Sequence, residues 1–250
     1  MDGRGLIGIV SGLGPLAGSD VLDKALAYSA RAYGATDDAD YPDIVLFSHG
    51  IESFDAKGSI EDGFVRELVR VVQEIELHHP TVLGVACNTA HLHLPALREH
   101  TSATVVNLIE ATADAAAVFD RSYLLLSSSA TRAAGLYHEA LNRRGVSYFD
   151  VSPTDQLEVD QVVHLVMAHD LDAAGARISR LVQSLETAFD GIIAGCTELP
   201  IALEHSRIPH EVPVVSSNDV LARALVDTYY RMKADGNVRP STWREATSHA

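Results

Sequence analysis

Residues 82–91 read VLGVACNTAH, in which an apolar run leads directly into a cysteine and a polar turn. A short apolar run that ends in such a turn is typical of a buried strand. Residues 191–200 read GIIAGCTELP and repeat the arrangement. We therefore expect Cys87 and Cys196 each to follow the carboxyl end of a strand.

Apolar runs of the same kind occur along the whole chain, and between them apolar residues recur at the helical intervals of three and four. This alternation of strands and helices favours parallel sheets and an α/β fold. The third run of each half precedes the cysteine of that half. The predicted strands are Leu6–Val10, Ile44–Phe47, Val82–Ala86 and Val105–Leu108, then Tyr123–Leu126, Val146–Phe149, Gly191–Ala194 and Val212–Val215.

The composition excludes several classes of protein. The chain has 250 residues and a net charge of −15, which argues against nucleic acid and anionic membranes as partners. Its N-terminal apolar run is too short for a signal peptide, and no run is long enough to span a membrane. Two cysteines without CxxC spacing exclude a disulfide scaffold. We expect a cytoplasmic protein.

The position of the two cysteines predicts reactive thiols. At the carboxyl ends of parallel strands, helix N-termini present unpaired amide donors, and these stabilise a thiolate. The sequence therefore predicts a thiol pKa below its ordinary value of about 8.5. If the halves face each other across a pseudo-two-fold axis, the cysteines meet at one cleft, which suits an acid and a base on opposite faces of a carbon. The alternative is that each cysteine is a small buried hydrophobe.

Three motifs give the chain a resemblance to a known family. They are Gly12–Ala17 (GLGPLA), Cys87–His91 (CNTAH) and Gly195–Pro200 (GCTELP). In order and spacing the chain resembles the aspartate/glutamate racemase superfamily, and within it the aspartate racemase branch. The likeness covers most of residues 5–230.

The resemblance implies two similar parallel-sheet α/β domains related by a pseudo-two-fold axis, with the active site in the cleft between them. It also implies racemisation or epimerisation of an amino-acid or carboxylic-acid substrate without pyridoxal phosphate, metal or other cofactor, and a homodimer. The glycine motif lacks the third glycine of a dinucleotide fingerprint. We predict a first half of residues 1–112 and 213–236, a second half of residues 113–212, and a polar tail of residues 237–250.

Site residues follow from the same resemblance. Cys87 and Cys196 are the catalytic pair, one removing the α-proton and the other returning a proton to the opposite face. The Ser127–Thr131 segment resembles a substrate-contacting loop, although a helix cap is an alternative. Glu198 either tunes Cys196, holds a substrate ammonium group or simply favours a helix start. The predicted substrate-binding residues are Gly14, Pro15, Asn88, Thr89, Ser128, Ser129, Thr131, Thr197 and Glu198.

The chain departs from the family at two basic positions. Aspartate racemases resemble one another in an arginine after the second strand, but residues 48–56 contain none. A lysine that follows a glutamine in the second half is replaced by Leu157, after Gln156. An unpaired buried carboxylate is costly, so we predict a substrate side chain that is neutral or cationic.

Two other functions stay open. One is a related cysteine-dependent isomerase or decarboxylase of a dicarboxylic acid, and the other is a catalytically silent binding protein. His91 and His93 stand at a spacing that is poor for a shared metal ion, and His91 is expected to orient the Cys87 loop.

Overall fold

The fold is seen in a computed structural model that describes residues 5–51, 62–185, 189–209 and 211–234. Two parallel sheets of four strands each follow one another along the chain. This confirms the predicted two-domain α/β fold. The first sheet has the order β2-β1-β3-β4, with β1 at Leu6–Ser11, β2 at Asp43–Ser48, β3 at Val82–Val85 and β4 at Thr104–Val105. The second has the order β6-β5-β7-β8, with β5 at Ser122–Leu126, β6 at Ser147–Asp150, β7 at Gly191–Ala194 and β8 at Val214–Ser216.

Helices cover both faces of each sheet. In the first half they are α1 at Pro15–Tyr33, α2 at Asp62–Glu76, a 3₁₀ helix at Thr89–His93, α3 at Leu94–Arg98 and α4 at Leu108–Ala117. In the second half they are α5 at Ser129–Ala133, α6 at Leu136–Arg144, α7 at Pro153–Met167, α8 at Leu171–Ser184 and α9 at Glu198–Glu204, and α10 at Ser217–Ala234 follows. None of the helices in these described ranges is both long and apolar enough to cross a membrane.

The side-chain alternation of the central strands explains the layers. Ile7 and Ile9 of β1 pack with α1 and α10, whereas Val10 packs with α2 and α3 on the other face. In the second sheet, Leu124 packs with α7, α8 and α9, and Tyr123 packs with α4 and α6. Successive strand residues point to opposite faces, so a strand that is apolar throughout needs cover on both sides.

The division of the chain into halves stays a prediction, but strand pairing bears on where the chain returns to the first half. We predicted that return at residue 213. However, β8 pairs with β7 in the second sheet, with Ile193 opposite Val215, so β8 belongs to the second half. Only then does α10 pack against α1 and the first sheet.

The turn between β1 and α1 depends on its glycines. Gly12 and Gly14 have positive φ angles of 100° and 97°, which side chains rarely adopt. A Cβ on Gly12 would lie 2.0 Å from the carbonyl oxygen of His49. Pro15 then begins α1, where its missing N–H costs nothing. The turn therefore lies flush against the end of β2.

Candidate active site

The loops that carry the two cysteines lie together between the sheets. Cys87 and Cys196 each stand two residues beyond the end of a strand, β3 and β7, and these strands hold the same place in their sheets. The Thr197 hydroxyl lies 3.5 Å from the carbonyl oxygen of Ala86, so the two loops are in contact. Both cysteines are unpaired thiols; Cys196 is buried and Cys87 is partly exposed.

Hydrogen bonds between buried side chains fix the Cys87 loop to the second half. The hydroxyls of Thr89 and Thr131 lie 2.8 Å apart. Asn88 donates from Nδ2 to the Ser217 hydroxyl at 3.3 Å, and its Oδ1 accepts from the Tyr137 hydroxyl at 2.5 Å. The polar side chains after Cys87 are therefore held by helices α5 and α6 of the second half and by α10.

The serine and threonine segment before α5 divides into two parts. Ser128 caps α5 by accepting from the backbone N–H of Thr131, and its hydroxyl donates to Thr131 Oγ1 at 3.1 Å. Ser129 is exposed, and its hydroxyl and its backbone N–H both donate to the Asp160 carboxylate on α7. Thr131 and Ser128 thus face the Cys87 loop, whereas Ser129 is turned towards α7. Ser128 is therefore the helix cap, and its role in substrate binding stays a prediction.

Glu198 is a carboxylate buried beside a thiol. It is 4% exposed, and its Oε2 accepts from Cys196 Sγ at 3.0 Å and from the Thr197 hydroxyl at 3.2 Å. Its Oε1 faces Gly14, where a Cβ would stand only 1.8 Å away. Gly14 therefore packs directly against the Glu198 carboxylate, whereas the neighbouring Pro15 is exposed.

The predicted lowering of the thiol pKa values is wrong for this structure. Desolvation raises the pKa of Cys87 to about 12, against the hydrogen bond from the Ala90 N–H; the Glu198 carboxylate adds to the rise, and the Thr89 N–H opposes it least. Desolvation and Glu198 also raise the pKa of Cys196 well above its ordinary value. The loss of hydration outweighs the amide donors, because the thiolate is the form that burial disfavours. Both thiols hold their protons at neutral pH.

The same burial acts on the acidic and basic neighbours. Desolvation raises the pKa of Glu198, against hydrogen bonds from Cys196 and Thr197. It lowers the pKa of His91, whose Nδ1 lies 2.8 Å from the Cys87 carbonyl oxygen. A carbonyl can only accept, so Nδ1 carries the proton of a neutral ring. The described residues contain no group of three or more His, Cys, Asp or Glu side chains placed to hold a metal ion.

Of the two segments expected to carry a cation, the first is described only in part. Residues 52–56 of the segment after β2 lie outside the described residues. At its beginning, His49 Nε2 lies 2.8 Å from the Arg70 guanidinium, which is itself paired with Glu67 at 2.9 Å. In the second half the Leu157 side chain is 65% exposed. These segments offer the cleft no basic side chain that the described contacts leave uncommitted.

Sequence reasoning missed two residues that contact the cysteine loops, Asn218 and Tyr137. Asn218 is fully buried, and its Nδ2 donates both to the Thr197 carbonyl oxygen at 2.8 Å and to Asp20 at 2.6 Å. A signal for it existed, since Ser216–Asp219 is a polar cluster directly after a predicted strand. Tyr137 gave no such signal, because an aromatic residue on an apolar helix face is ordinarily core.

Comparison with known proteins gives one consistent result. Residues 10–225 match the family described as Asp/Glu/Hydantoin racemase. The broad specificity amino-acid racemase RacX of Bacillus subtilis (strain 168) is 24% identical over 224 residues, which cover 90% of this chain and 98% of RacX.

Solved structures share the fold. The Picrophilus torridus aspartate racemase superposes with a TM-score of 0.77 at 24% identity, over 90% of this chain and 94% of that one. The glutamate racemase from Francisella tularensis in complex with D-glutamate superposes with a TM-score of 0.64 at 16% identity, over 97% and 85%.

Proposed function

Because the chain belongs to the Asp/Glu/hydantoin racemase family, we propose that it is a cofactor-independent amino-acid racemase or epimerase whose acid and base are Cys87 and Cys196. One observation carries the proposal: the two cysteine loops, from equivalent strands of the two sheets, are joined by the contact between Thr197 and Ala86. A cleft lined from two sides gives access to both faces of one α-carbon, which inversion requires.

The proton transfers balance across the pair. One cysteine, as thiolate, takes the α-proton and becomes a thiol, and the electron pair of the C–H bond moves into the carboxylate as an enediolate. The other cysteine, as thiol, delivers its proton to the opposite face of the carbon and becomes a thiolate. The reverse direction exchanges the two roles, so no external oxidant or reductant is needed.

Neutral donors hold the substrate carboxylate in this proposal. Asn88, Thr89, Thr131 and Thr197 lie where the two halves meet, and Ser128 adjoins Thr131. Their N–H and O–H groups stabilise the second negative charge that develops on the carboxylate when the α-proton leaves. Preorganised neutral donors serve this purpose without neutralising the thiolate base.

Glu198 binds the substrate ammonium group, and this pairing removes one of the causes that raise the thiol pKa values. The carboxylate raises the pKa of both cysteines as the site stands. A bound ammonium group balances that charge, and the thiolate then forms at a lower pH. The described hydrogen-bond partners of the buried Glu198 carboxylate are the neutral Cys196 thiol and Thr197 hydroxyl, so its charge suits a cationic ligand better than an anionic one.

The substrate side chain is neutral or cationic. A second carboxylate would enter a site that already contains Glu198, while Arg70 is paired with Glu67 and Leu157 replaces the expected lysine. The match covers nearly the whole length of RacX, which is described as a broad specificity amino-acid racemase. We also propose that the enzyme is a cytoplasmic homodimer, which agrees with its two free thiols and with the resemblance.

A racemisation assay tests this function. Each L-amino acid of a panel with neutral, basic and acidic side chains is incubated with the protein, and D-enantiomer is measured by chiral chromatography. We expect neutral or basic substrates to exceed aspartate in kcat/KM by at least about tenfold. Equal rates for aspartate would contradict the side-chain assignment, and no D-enantiomer from any amino acid would contradict the racemase function.

A further inference from the structure

Tyr137 on α6 contacts both cysteine loops. Its hydroxyl donates to Asn88 Oδ1 at 2.5 Å, one residue after Cys87. Its ring lies against Gly195, one residue before Cys196, where a Cβ would stand 2.6 Å from the ring. We propose that Tyr137 is a positioning residue, whose hydroxyl orients the Asn88 amide and whose ring sets the path of the backbone into Cys196.

The ring of Tyr137 is held in place by the residues packed around it. The side chain is 1% exposed and packs in the same cluster as Tyr123, Leu125 and Ile193. On the far side of the contact, the Gly195 N–H donates to the Leu126 carbonyl oxygen at 2.7 Å, which holds the glycine against β5. Because the ring and the glycine are both fixed, residue 195 has no room for a side chain.

The hydroxyl determines which way the Asn88 amide faces. An asparagine amide has one acceptor oxygen and two N–H donors, and a half turn exchanges them. Tyr137 donates to Oδ1, and one hydrogen of Nδ2 goes to Ser217. In this orientation the second Nδ2 hydrogen is available to a substrate carboxylate oxygen. The inference rests on the proposed function, which assigns Asn88 to that carboxylate.

Removing only the hydroxyl tests the orientation. In Tyr137→Phe the ring still fills its place, but Asn88 Oδ1 loses its donor and the amide is free to turn. We expect kcat/KM to fall about tenfold to a hundredfold, through kcat as well as KM, since a turned amide stabilises neither the bound carboxylate nor the charge that develops on it.

Tyr123→Phe is the matched control. Tyr123 is also 1% exposed, and its hydroxyl donates to the Ala116 carbonyl oxygen, while its ring lies against Gly191 at the other end of β7. It loses the same atom without contacting either cysteine loop, so kcat/KM should stay within about twofold of the wild type.

A double-mutant cycle separates positioning from a general structural role. If Tyr137 acts through Asn88, Tyr137→Phe changes kcat/KM by less than about twofold in an Asn88→Ala background. A wild-type kcat/KM in Tyr137→Phe alone, or an unreduced loss in the Asn88→Ala background, would overturn the inference.

Hydrogen exchange keeps this test independent of activity. We expect amides of residues 86–91 to exchange faster in Tyr137→Phe than in Tyr123→Phe, as measured by mass spectrometry of the native proteins. Equal exchange in the two variants would overturn the positioning role. If the wild-type protein racemises no amino acid, the proposed function fails, and this comparison still decides whether Tyr137 holds the loop.

Discussion

The two cysteine loops occupy equivalent places in the two sheets but have different neighbours. After Cys87 come Asn88 and Thr89, which are neutral and bonded across to the second half. After Cys196 comes Glu198, a buried carboxylate that accepts a hydrogen bond from the thiol itself. The repeat thus provides two thiols, while a carboxylate in the second loop raises the pKa of both.

This difference indicates how a pseudo-symmetric site could bind an asymmetric substrate. An amino acid presents a carboxylate on one side of its α-carbon and an ammonium group on another. In the proposed function, neutral donors around Cys87 bind the first, and the carboxylate beside Cys196 binds the second. In the proposed mechanism, the two reaction directions then differ in whether the base is Cys196, which contacts Glu198, or Cys87.

The largest expected effect comes from removing the charge of the second loop. In Glu198→Gln the substrate ammonium group loses its partner, and we expect kcat/KM to fall about a hundredfold to a thousandfold. Glu204→Gln is the control, since Glu204 lies on the same helix and is bonded to Lys24 on the surface. Comparable losses in the two variants, measured by chiral assay, would contradict the special position of Glu198.

Thiol reactivity tests whether the Glu198 carboxylate acts on Cys87 as well as on Cys196. Burial raises the pKa of Cys87 to about 12, so its thiolate appears only as the pH rises towards that value. At pH 8, without substrate, iodoacetamide should alkylate Cys87 at least about a hundredfold more slowly than a cysteine peptide. Glu198→Gln lowers the pKa and should speed the reaction.

Peptide mass spectrometry over a range of pH measures this rate. Alkylation of Cys87 at the rate of the free peptide would mean that the amide donors outweigh desolvation, and the two loops would then differ more than the structure indicates.

Gly14 links the first half to the charge in the second. In Gly14→Ala the new Cβ meets Glu198 Oε1, so the carboxylate must leave its place beside Cys196. We expect a loss of about 1–3 kcal/mol in the free energy of unfolding, because a positive φ adds strain to the collision.

Gly34→Ala is the control for the strain that a positive φ imposes on an alanine. Gly34 also has a positive φ, of 70°, but a Cβ there would meet nothing within 4 Å. Denaturant unfolding measures both variants, and equal losses would mean that the contact with Glu198 contributes nothing.

The smallest effects separate the two parts of the segment before α5. Thr131→Val leaves Thr89 without its partner across the halves and should cost about 1–2 kcal/mol of unfolding free energy. Ser129→Ala removes an exposed contact to Asp160 and should cost less than about 0.5 kcal/mol and leave kcat/KM unchanged. A large loss of kcat/KM in Ser129→Ala would return Ser129 to the site, where the resemblance placed it.

Much of the fold was predictable because it depends on local patterns. Short apolar runs before Cys87 and Cys196 identified central strands, and the motifs around them identified the family, which the match over residues 10–225 confirms. The sequence did not show that β8 pairs with β7, because Val212–Val215 alone does not say which sheet it joins.

The site was less predictable because it depends on how the halves dock. The contacts of Asn88 with Tyr137 and Ser217 join residues 49 and 129 positions apart, and no local pattern encodes them. The predicted direction of the thiol pKa shifts was wrong, because a sequence shows the amide donors but not the extent of burial that opposes them.

Exchange of the α-proton with solvent tests the two-thiol mechanism most directly. In D₂O, with a substrate that the wild-type protein racemises, deuterium should appear at Cα of the product from either enantiomer. Cys87→Ser and Cys196→Ser should each lower the racemisation rate by about a hundredfold to ten-thousandfold in both directions. Racemisation at the wild-type rate in either variant, with deuterium still entering Cα, would contradict the assignment of the two cysteines as acid and base.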